Sequence, residues 1–185
     1  RRQALRRGLL DRPNQRSSHT EPTPRGGGLA IVMVVLAGLA AAFMARLVPA
    51  PLTLAMLVCG LAVAGIGFAD DRRPVPAALR FGVHLAAVGV ALTAIGGLPS
   101  AASEAMSLPP GRIGDVVAIV CCAWFLNLFN FMDGIDGIDG AEAAFLSFAS
   151  AGLLAATGAG ASLLVPWLLL GAASTGFLVW NWAPA

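Results

Sequence analysis

The sequence contains no lysine and no tyrosine, and it has few charges of either sign. Only 12% of its 185 residues are charged, whereas 57% are apolar and the mean hydropathy is +0.78. A soluble domain carries about twice that share of charged residues. The shortage of charge therefore excludes an ordinary soluble domain and predicts an integral membrane protein in a lipid bilayer. A net charge of +2 is too small to indicate a nucleic-acid partner.

Isolated polar side chains within the apolar runs do not form a recognisable site. The three cysteines are Cys59, Cys121 and Cys122, and the neighbouring pair lacks the spacing of metal ligands. An odd number of cysteines in apolar runs argues against a disulfide framework. We interpret all three as packing residues, and His84 as a residue that faces the bundle and forms hydrogen bonds there.

The two ends of the sequence predict a fragment of a longer chain. The first residue is not methionine, and the opening "RRQALRRGLLDRPNQRSSHT" lacks the apolar centre of a signal peptide. The last residues, "FLVWNWAPA", stop directly after an apolar run. We therefore expect a single membrane domain over residues 1–185 that is incomplete at both ends.

The apolar runs predict an all-α, polytopic transmembrane helical bundle. A helix needs roughly 20 apolar residues to cross a bilayer. About six segments approach this length, after an N-terminal segment over 1–26. The predicted spans are 27–48, 52–69, 79–98, 113–131, 141–158 and 163–180.

The arginines predict how these spans are oriented. Seven of the twelve basic residues lie in the first 25 positions, and Arg72, Arg73 and Arg80 lie around the second link. The opposite side carries only Arg46 and Arg112. Because basic residues accumulate in short cytoplasmic loops, the N-terminal segment and the 70–80 link are predicted to be cytoplasmic. By alternation, the 132–140 link and "NWAPA" lie on the same side.

The N-terminal segment "DRPNQRSSHTEPTPRGGGLAI" is the first candidate site. Gly26 and Gly27, within a triple glycine, would let backbone amides approach a ligand closely. His19 and Arg25 could contact phosphate, since arginine binds phosphate through two parallel hydrogen bonds. The alternative is a basic juxtamembrane segment that sets the topology and contacts anionic headgroups.

The second candidate is "GFADDRRPVP", with Asp70 and Asp71 at the predicted cytoplasmic end of the second span. Adjacent carboxylates repel each other, and a cation relieves this repulsion. Magnesium takes oxygen ligands and often joins a carboxylate to substrate phosphates. The alternative is an interfacial pair that is balanced by its neighbours Arg72 and Arg73.

The third candidate is "NLFNFMDGIDGIDGAEA", where polar residues recur at every third position. They are Asn127, Asn130, Asp133, Asp136 and Asp139. This spacing keeps neighbours on one slowly drifting helix face. The intervening glycines predict that the helix ends after Asp133 and that the later carboxylates lie on a loop. Ionisable groups at the membrane edge indicate function, although a helix-capping turn is the alternative.

In this order, "PTPRGGGLAI", "GFADDRRPVP" and "NLFNFMDGIDG" resemble the motifs of the polyprenyl-phosphate N-acetylhexosamine-phosphate transferases. This bacterial family starts peptidoglycan, O-antigen and other lipopolysaccharide or surface glycans. The resemblance implies a reaction at the cytoplasmic face of the inner (plasma) membrane. Undecaprenyl phosphate would attack a UDP-N-acetylhexosamine, giving a polyprenyl-diphosphate-sugar and UMP.

The resemblance also assigns expected roles to particular residues. Asn130 matches a metal-contacting asparagine, and Asp70 and Asp71 match an aspartate pair near the lipid phosphate and the metal. Asp133 and Asp136 match an acidic pair near the nucleotide and diphosphate. The implied metal is magnesium, with manganese as an alternative.

Further substrate contacts are expected from the flanking polar residues. Arg25, Gly26 and Gly27 match the loop beside the nucleotide pocket, and Asn127 and His19 are added as candidate substrate-binding residues. Asp139 stands where family members more often have a small apolar residue, so we do not include it in the site.

The resemblance is incomplete, and two other classes remain open. The family usually has ten or eleven spans, so the 185 residues alone are expected to be inactive. A CDP-alcohol phosphotransferase would need an arginine shortly after "DG", but Ala141 to Ala161 contain none. A membrane cation transporter would place carboxylates near the middle of the membrane rather than at one edge. The particular sugar, the glycan pathway and the oligomeric state are left open.

Overall fold

The computed structural model describes residues 10–11, 23–24, 27–132 and 136–182, with the backbone alone at 10–11, 23–24 and 130–132. Within these ranges the chain is almost entirely helical, as predicted. The helices are α1 Gly28–Met44, α2 Ala50–Arg72, α3 Ala77–Ala94, α4 Ser100–Ala105, α5 Arg112–Met132, α6 Ile138–Ala156 and α7 Ala161–Asn181. Two short strands, β1 Leu10–Asp11 and β2 Thr23–Pro24, pair antiparallel.

Five of these helices are long and apolar enough to cross a membrane, namely α2, α3, α5, α6 and α7. The remaining long helix, α1, is also apolar but has only 17 residues. The predicted polytopic helical bundle is therefore confirmed, with five candidate spans and a shorter apolar helix at the place of the first predicted span.

The long helices follow one another around the bundle. Helix α6 packs on α7, α7 on α1, α1 on α2, α2 on α3 and α3 on α5, while α5 touches α6 only slightly. Side chains mark these contacts: Cys59 Sγ lies 3.1 Å from the carbonyl oxygen of Ala87, and the rings of Phe81 and Trp124 meet edge to face. Each span is thus antiparallel to the one it follows.

Proline sets where several helices begin. Helices α2, α3 and α4 start directly after Pro49, Pro76 and Pro99, each of which has a φ near the value that the proline ring imposes. A proline at a helix start sacrifices no helical hydrogen bond, because the first N–H groups have no partner within the helix. The links between spans are therefore short and locally determined.

Two links differ from the prediction. The second link was expected to begin at Asp70, but α2 continues to Arg72 and carries both aspartates in its last turn. The third link contains the short helix α4. Apolar run length locates a span, but helices extend past the apolar run where polar residues still favour helical geometry.

Small residues allow the close approach of α6 and α7. Ser147 and Ser174 are fully buried, and a Cβ on Gly171 would lie 2.9 Å from Cε1 of Phe148. Small side chains let membrane helices pack backbone to backbone. The small-residue character of the fifth predicted span therefore serves helix contact, as expected.

An apolar cavity of about 510 Å³ lies between α1, α2 and α3, with Leu170 of α7 also in its wall. Its lining is almost entirely aliphatic, and Cys59 is among the lining residues. Such a wall offers hydrocarbon contact but no partner for a phosphate or a sugar. The chemistry of this protein must therefore be sought elsewhere in the bundle.

Replacing Gly114 with alanine is expected to destabilise the fold. A Cβ at this position, in the first turn of α5, would overlap the backbone carbonyl oxygen of Pro109. Since backbone must move to relieve this overlap, we expect a loss of about 1–3 kcal/mol. Thermal unfolding of the purified full-length protein in detergent measures it.

Gly65→Ala is the matched control, because a Cβ at Gly65 would have nothing within 4 Å. Alanine within a helix is favoured over glycine by about 0.5–1 kcal/mol. The control should therefore unfold at the wild-type temperature or slightly above it. Equal unfolding temperatures for the Gly114 and Gly65 variants would contradict the close contact.

Candidate functional site

Polar side chains gather at one end of the bundle. We name the end at which α1, α3 and α6 begin and α2, α5 and α7 end the polar end. Asp70, Asp71, Asn127, Asp136 and Arg80 all belong to helix ends or links on this side. The antiparallel course of the helices brings together residues that lie far apart in the sequence.

Asp70 is held by two contacts from the chain that follows it. The Val75 backbone N–H donates a hydrogen bond of 2.7 Å to Oδ1, and the Arg80 guanidinium forms an ion pair with Oδ2 through Nη1. About three quarters of each side chain is covered, since Asp70 is 24% exposed and Arg80 23%. Both carboxylate oxygens of Asp70 are therefore engaged within the α2–α3 link.

The sequence of the link produces this geometry. Arg73 and Val75 each precede a proline, and a residue before proline is excluded from the helical region. Arg73 accordingly has φ −148° and ψ 132°, which ends α2. The extended link then turns back so that the Val75 N–H reaches Asp70.

The arginines beside the aspartate pair do not provide the contact with Asp70. The Arg72 guanidinium instead stacks on Phe68, with Cζ 4.3 Å from the ring centroid. Asp71 is partly buried and has an interaction of its own. Sequence reasoning missed Arg80 as the partner of Asp70, although an arginine one helix turn after a proline-rich link is a usable signal.

The end of α5 carries the asparagines. Asn127 is half-buried on this helix, and the backbone of Asn130 continues the same helix one turn later. The predicted shared face of these two residues agrees with the helical backbone. The Asn130 side chain and the whole of Asp133 lie outside the described residues, so their roles stay predictions.

Helix α6 begins earlier in the sequence than predicted. Asp136 lies in the turn and is half-buried, while Asp139 lies in the first turn of the helix rather than on a loop. The expectation that all later carboxylates lie on a loop is therefore wrong for Asp139. A carboxylate in the first turn is stabilised by the positive end of the helix dipole, and this fits a structural position.

Glycines dock the start of α6 against the end of α7. Gly137 has φ +79°, a left-handed conformation that glycine adopts without strain. A Cβ there would lie 3.3 Å from the carbonyl oxygen of Asn181, and one on Gly140 would lie 2.9 Å from Leu178 Cδ2. These contacts fix the position of Asp136 relative to α7.

The start of α1 docks on the same helix. A Cβ on Gly27 would lie 2.6 Å from Phe177 Cε2, whereas one on Gly28 would have nothing within 4 Å. Gly27 therefore permits close helix packing, a role that adds to the predicted approach to a ligand. The other candidates of the N-terminal segment, His19, Arg25 and Gly26, lie outside the described residues.

The polar end fits magnesium in the kind of donor it offers. Asp70, Asp71 and Asp136 supply carboxylate oxygens, which magnesium prefers. Within the part of the chain that is described, however, no three acidic, histidine or cysteine side chains form a group that could hold an ion. An ion at this end would need further ligands beyond that part of the chain or a rearrangement within it.

The known proteins to which this chain is similar are transferases. The family model described as "Glycosyl transferase family 4" matches residues 53–185. The chain is 33% identical over 140 residues to a decaprenyl-phosphate N-acetylglucosaminephosphotransferase of Mycobacterium leprae, covering 66% of this chain and 33% of that protein. The protein of the same name in Mycobacterium tuberculosis is 31% identical over 149 residues, covering 71% and 35%.

A third relative has a different acceptor in its name. An undecaprenyl-phosphate alpha-N-acetylglucosaminyl 1-phosphate transferase of Yersinia pestis is 31% identical over 135 residues, covering 71% of this chain and 36% of that protein. The chain thus spans about a third of the length of these relatives. No solved structure matches it.

Proposed function

Because the chain belongs to glycosyl transferase family 4, we propose that the full-length protein transfers N-acetylhexosamine phosphate from a UDP-sugar to undecaprenyl phosphate. The observation that carries the proposal is the gathering of Asp70, Asp71, Asn127 and Asp136 at the polar end. An enzyme that joins a membrane lipid to a cytosolic nucleotide sugar needs its polar groups at one membrane surface. The names of the relatives, which are transferases of N-acetylglucosamine phosphate, support phosphoryl transfer among the reactions that such a surface could carry out.

The proposed reaction is a displacement at phosphorus. An oxygen of the lipid phosphate attacks the β-phosphorus of the UDP-sugar, and the bond from that phosphorus to the bridging oxygen breaks. UMP leaves with this oxygen, and the sugar phosphate becomes part of a polyprenyl diphosphate. A phosphate monoester has a second pKa of about 6, so the attacking oxygen is largely ionised near neutral pH and needs no dedicated base.

The residues of the polar end would then mainly position the two substrates. Asp70 and Asp71 would lie near the lipid phosphate and the metal, with Asn130 as a further metal contact. Asp133 and Asp136 would lie beside the nucleotide and the diphosphate. A bound magnesium or manganese ion would neutralise charge on the phosphates. Arg25, Gly26, Gly27, Asn127 and His19 remain proposals for contacts with the nucleotide sugar.

The proposed location is the bacterial inner membrane, with the polar end at the cytoplasmic face. Arg72, Arg73 and Arg80 lie at the polar end, whereas Arg46 and Arg112 lie at the opposite end. This asymmetry supports a cytoplasmic polar end. UDP-sugars would then reach the site directly from the cytosol.

The names of the relatives narrow the substrates that we propose. Both the mycobacterial and the Yersinia pestis proteins are named for N-acetylglucosamine, which makes it the first candidate among the N-acetylhexosamines. Their names differ in the acceptor, decaprenyl or undecaprenyl phosphate. We retain undecaprenyl phosphate, and we propose that the product starts a cell-envelope glycan such as an O-antigen.

The reaction can be tested with the full-length protein in membranes. With UDP-N-acetylglucosamine, undecaprenyl phosphate and magnesium, we expect UMP and lipid-linked sugar phosphate in equal amounts. UDP-N-acetylgalactosamine and decaprenyl phosphate, each substituted in turn, measure the sugar and acceptor preferences. We expect residues 1–185 alone to release no UMP.

The rival functions have their own readouts in the same preparation. Release of CMP from a CDP-alcohol would indicate a CDP-alcohol phosphotransferase. Cation flux into vesicles without UMP release would indicate a transporter. Either result, with no transfer from any UDP-N-acetylhexosamine, would refute the proposed function.

A further inference from the structure

We propose that Arg80 is a positioning residue of the transfer site, which acts through Asp70. This inference rests on the proposed function and adds a residue that none of the three motifs contains. Arg80 lies in the first turn of α3, ten positions after Asp70, and its Nη1 forms the ion pair with Asp70 Oδ2. The Val75 N–H holds the other oxygen at 2.7 Å.

Two contacts on two different oxygens fix the carboxylate in one orientation. Each oxygen has its own donor, so rotation of the carboxylate would break both contacts. Asp71 follows Asp70 in the last turn of α2, and its backbone is held by the same link. Arg80 therefore fixes the end of α2 that presents both aspartates to the polar end.

The helix dipoles favour the ion pair between Arg80 and Asp70, because each charge is stabilised by the end of the other helix of the hairpin and not by its own. Asp70 lies at the negative end of its own helix and Arg80 at the positive end of its own helix, and both placements are unfavourable. Pairing places Asp70 beside the start of α3 and Arg80 beside the end of α2, where each charge is stabilised. The ion pair thus ties the two helix ends together.

The pair also changes the charge that a phosphate would meet. Asp70 and Asp71 together carry two negative charges, which would repel a lipid phosphate. Arg80 neutralises one of them within the fold, so an approaching phosphate meets a smaller negative charge. The arrangement reduces the repulsion without removing the carboxylates from the polar end.

Arg80 contacts Asp70 through a single guanidinium nitrogen. Substitutions can therefore test whether the positive charge alone is needed or the shape of the guanidinium as well. Nε of Arg80 is buried and has no hydrogen-bond partner among the described residues, and the same holds for Nδ1 of His84, one turn further along α3. Among the described residues, the ion pair with Asp70 is thus the polar contact that Arg80 makes. A lysine ammonium could replace it, whereas a glutamine could not.

The test compares Arg80→Gln, Arg80→Lys, Asp70→Asn and the double variant Asp70→Asn/Arg80→Gln in the full-length protein. We expect Arg80→Gln to lower kcat about 100-fold, the scale on which misplacing a catalytic group acts. The KM for the UDP-sugar should change little, and Arg80→Lys should recover most of the activity. The double variant should be no slower than Asp70→Asn, because Arg80 acts through Asp70.

Arg112→Gln is the matched control, since Arg112 is an exposed arginine at the first position of α5, at the opposite end of the bundle. It should retain wild-type kcat. Unfolding temperatures in detergent identify variants that are merely unstable. If Arg80→Gln does not fold, the wild type is compared with Arg80→Lys instead.

The outcomes separate this inference from the proposed function. An active wild type with unchanged kcat in Arg80→Gln, or losses that multiply in the double variant, would overturn the inference alone. A wild type without sugar-phosphate transfer would overturn the proposed function and this inference with it.

Discussion

Asp136→Asn in the full-length protein is expected to lower kcat by about 100- to 1,000-fold, the range seen when one preorganised charged or polar group is removed from a transition state. Asp136 lies in the turn before α6, half-buried and held in place by the packing of Gly137 against the end of α7. Asparagine keeps the shape and removes the charge. Initial rates of UMP release, normalised to the amount of protein in the membrane, measure the loss.

Asp139→Asn is the control for this prediction, because it removes the same charge three residues later. Asp139 lies in the first turn of α6, where its negative charge stabilises the helix by about 0.3–1 kcal/mol through the helix dipole. We expect kcat within about threefold of the wild type, since this change in stability leaves the protein folded. Equal losses of kcat in both variants would contradict a specific role for Asp136, because any negative charge near the start of α6 would then have the same effect.

Removal of divalent cations is expected to stop the transfer. Treatment with EDTA should lower the rate at least about 100-fold, because metal stabilisation of phosphoryl charge amounts to several kcal/mol. Magnesium should restore the rate, and manganese should do so as well, since it accepts the same oxygen ligands. The same assay of UMP release follows the loss and the recovery.

EDTA that has been saturated with magnesium beforehand is the control, and it should leave the rate unchanged. Calcium should restore the rate poorly, because it is larger and takes more ligands in a less regular geometry. Full transfer after exhaustive chelation would contradict a metal requirement. It would also leave the carboxylates of the polar end with a role in positioning alone.

The spans could be predicted because they depend on a property of contiguous sequence. Runs of apolar residues near the required length identified the bundle, and prolines marked several helix starts. The helix boundaries were less accurate where polar residues continue a helix, as at Asp70 and Asp71, which lie within α2. Hydropathy identifies the segments of the chain that suit a lipid environment, whereas the residue at which a helix ends depends on capping residues and prolines.

The contacts of the site were less predictable, because they depend on how helices face one another. Sequence proximity suggested Arg72 and Arg73 as partners for the aspartates, yet the observed ion partner of Asp70 is Arg80 across the hairpin. The close approach of Gly27 to Phe177 joins residues 150 positions apart in the sequence. Only the three-dimensional order of the helices determines such contacts.

The short helix α1 has a consequence for the surrounding lipid. Its 17 residues rise about 26 Å, at about 1.5 Å each, which is less than a hydrocarbon core of about 30 Å. Side chains such as Met33 and Val34 are exposed on its surface, and their apolar character suits contact with lipid. A bilayer thins beside a span that is too short for it. If α1 borders lipid, headgroups would be drawn toward the bundle along it, and a lipid phosphate approaching there would travel less far out of its own leaflet.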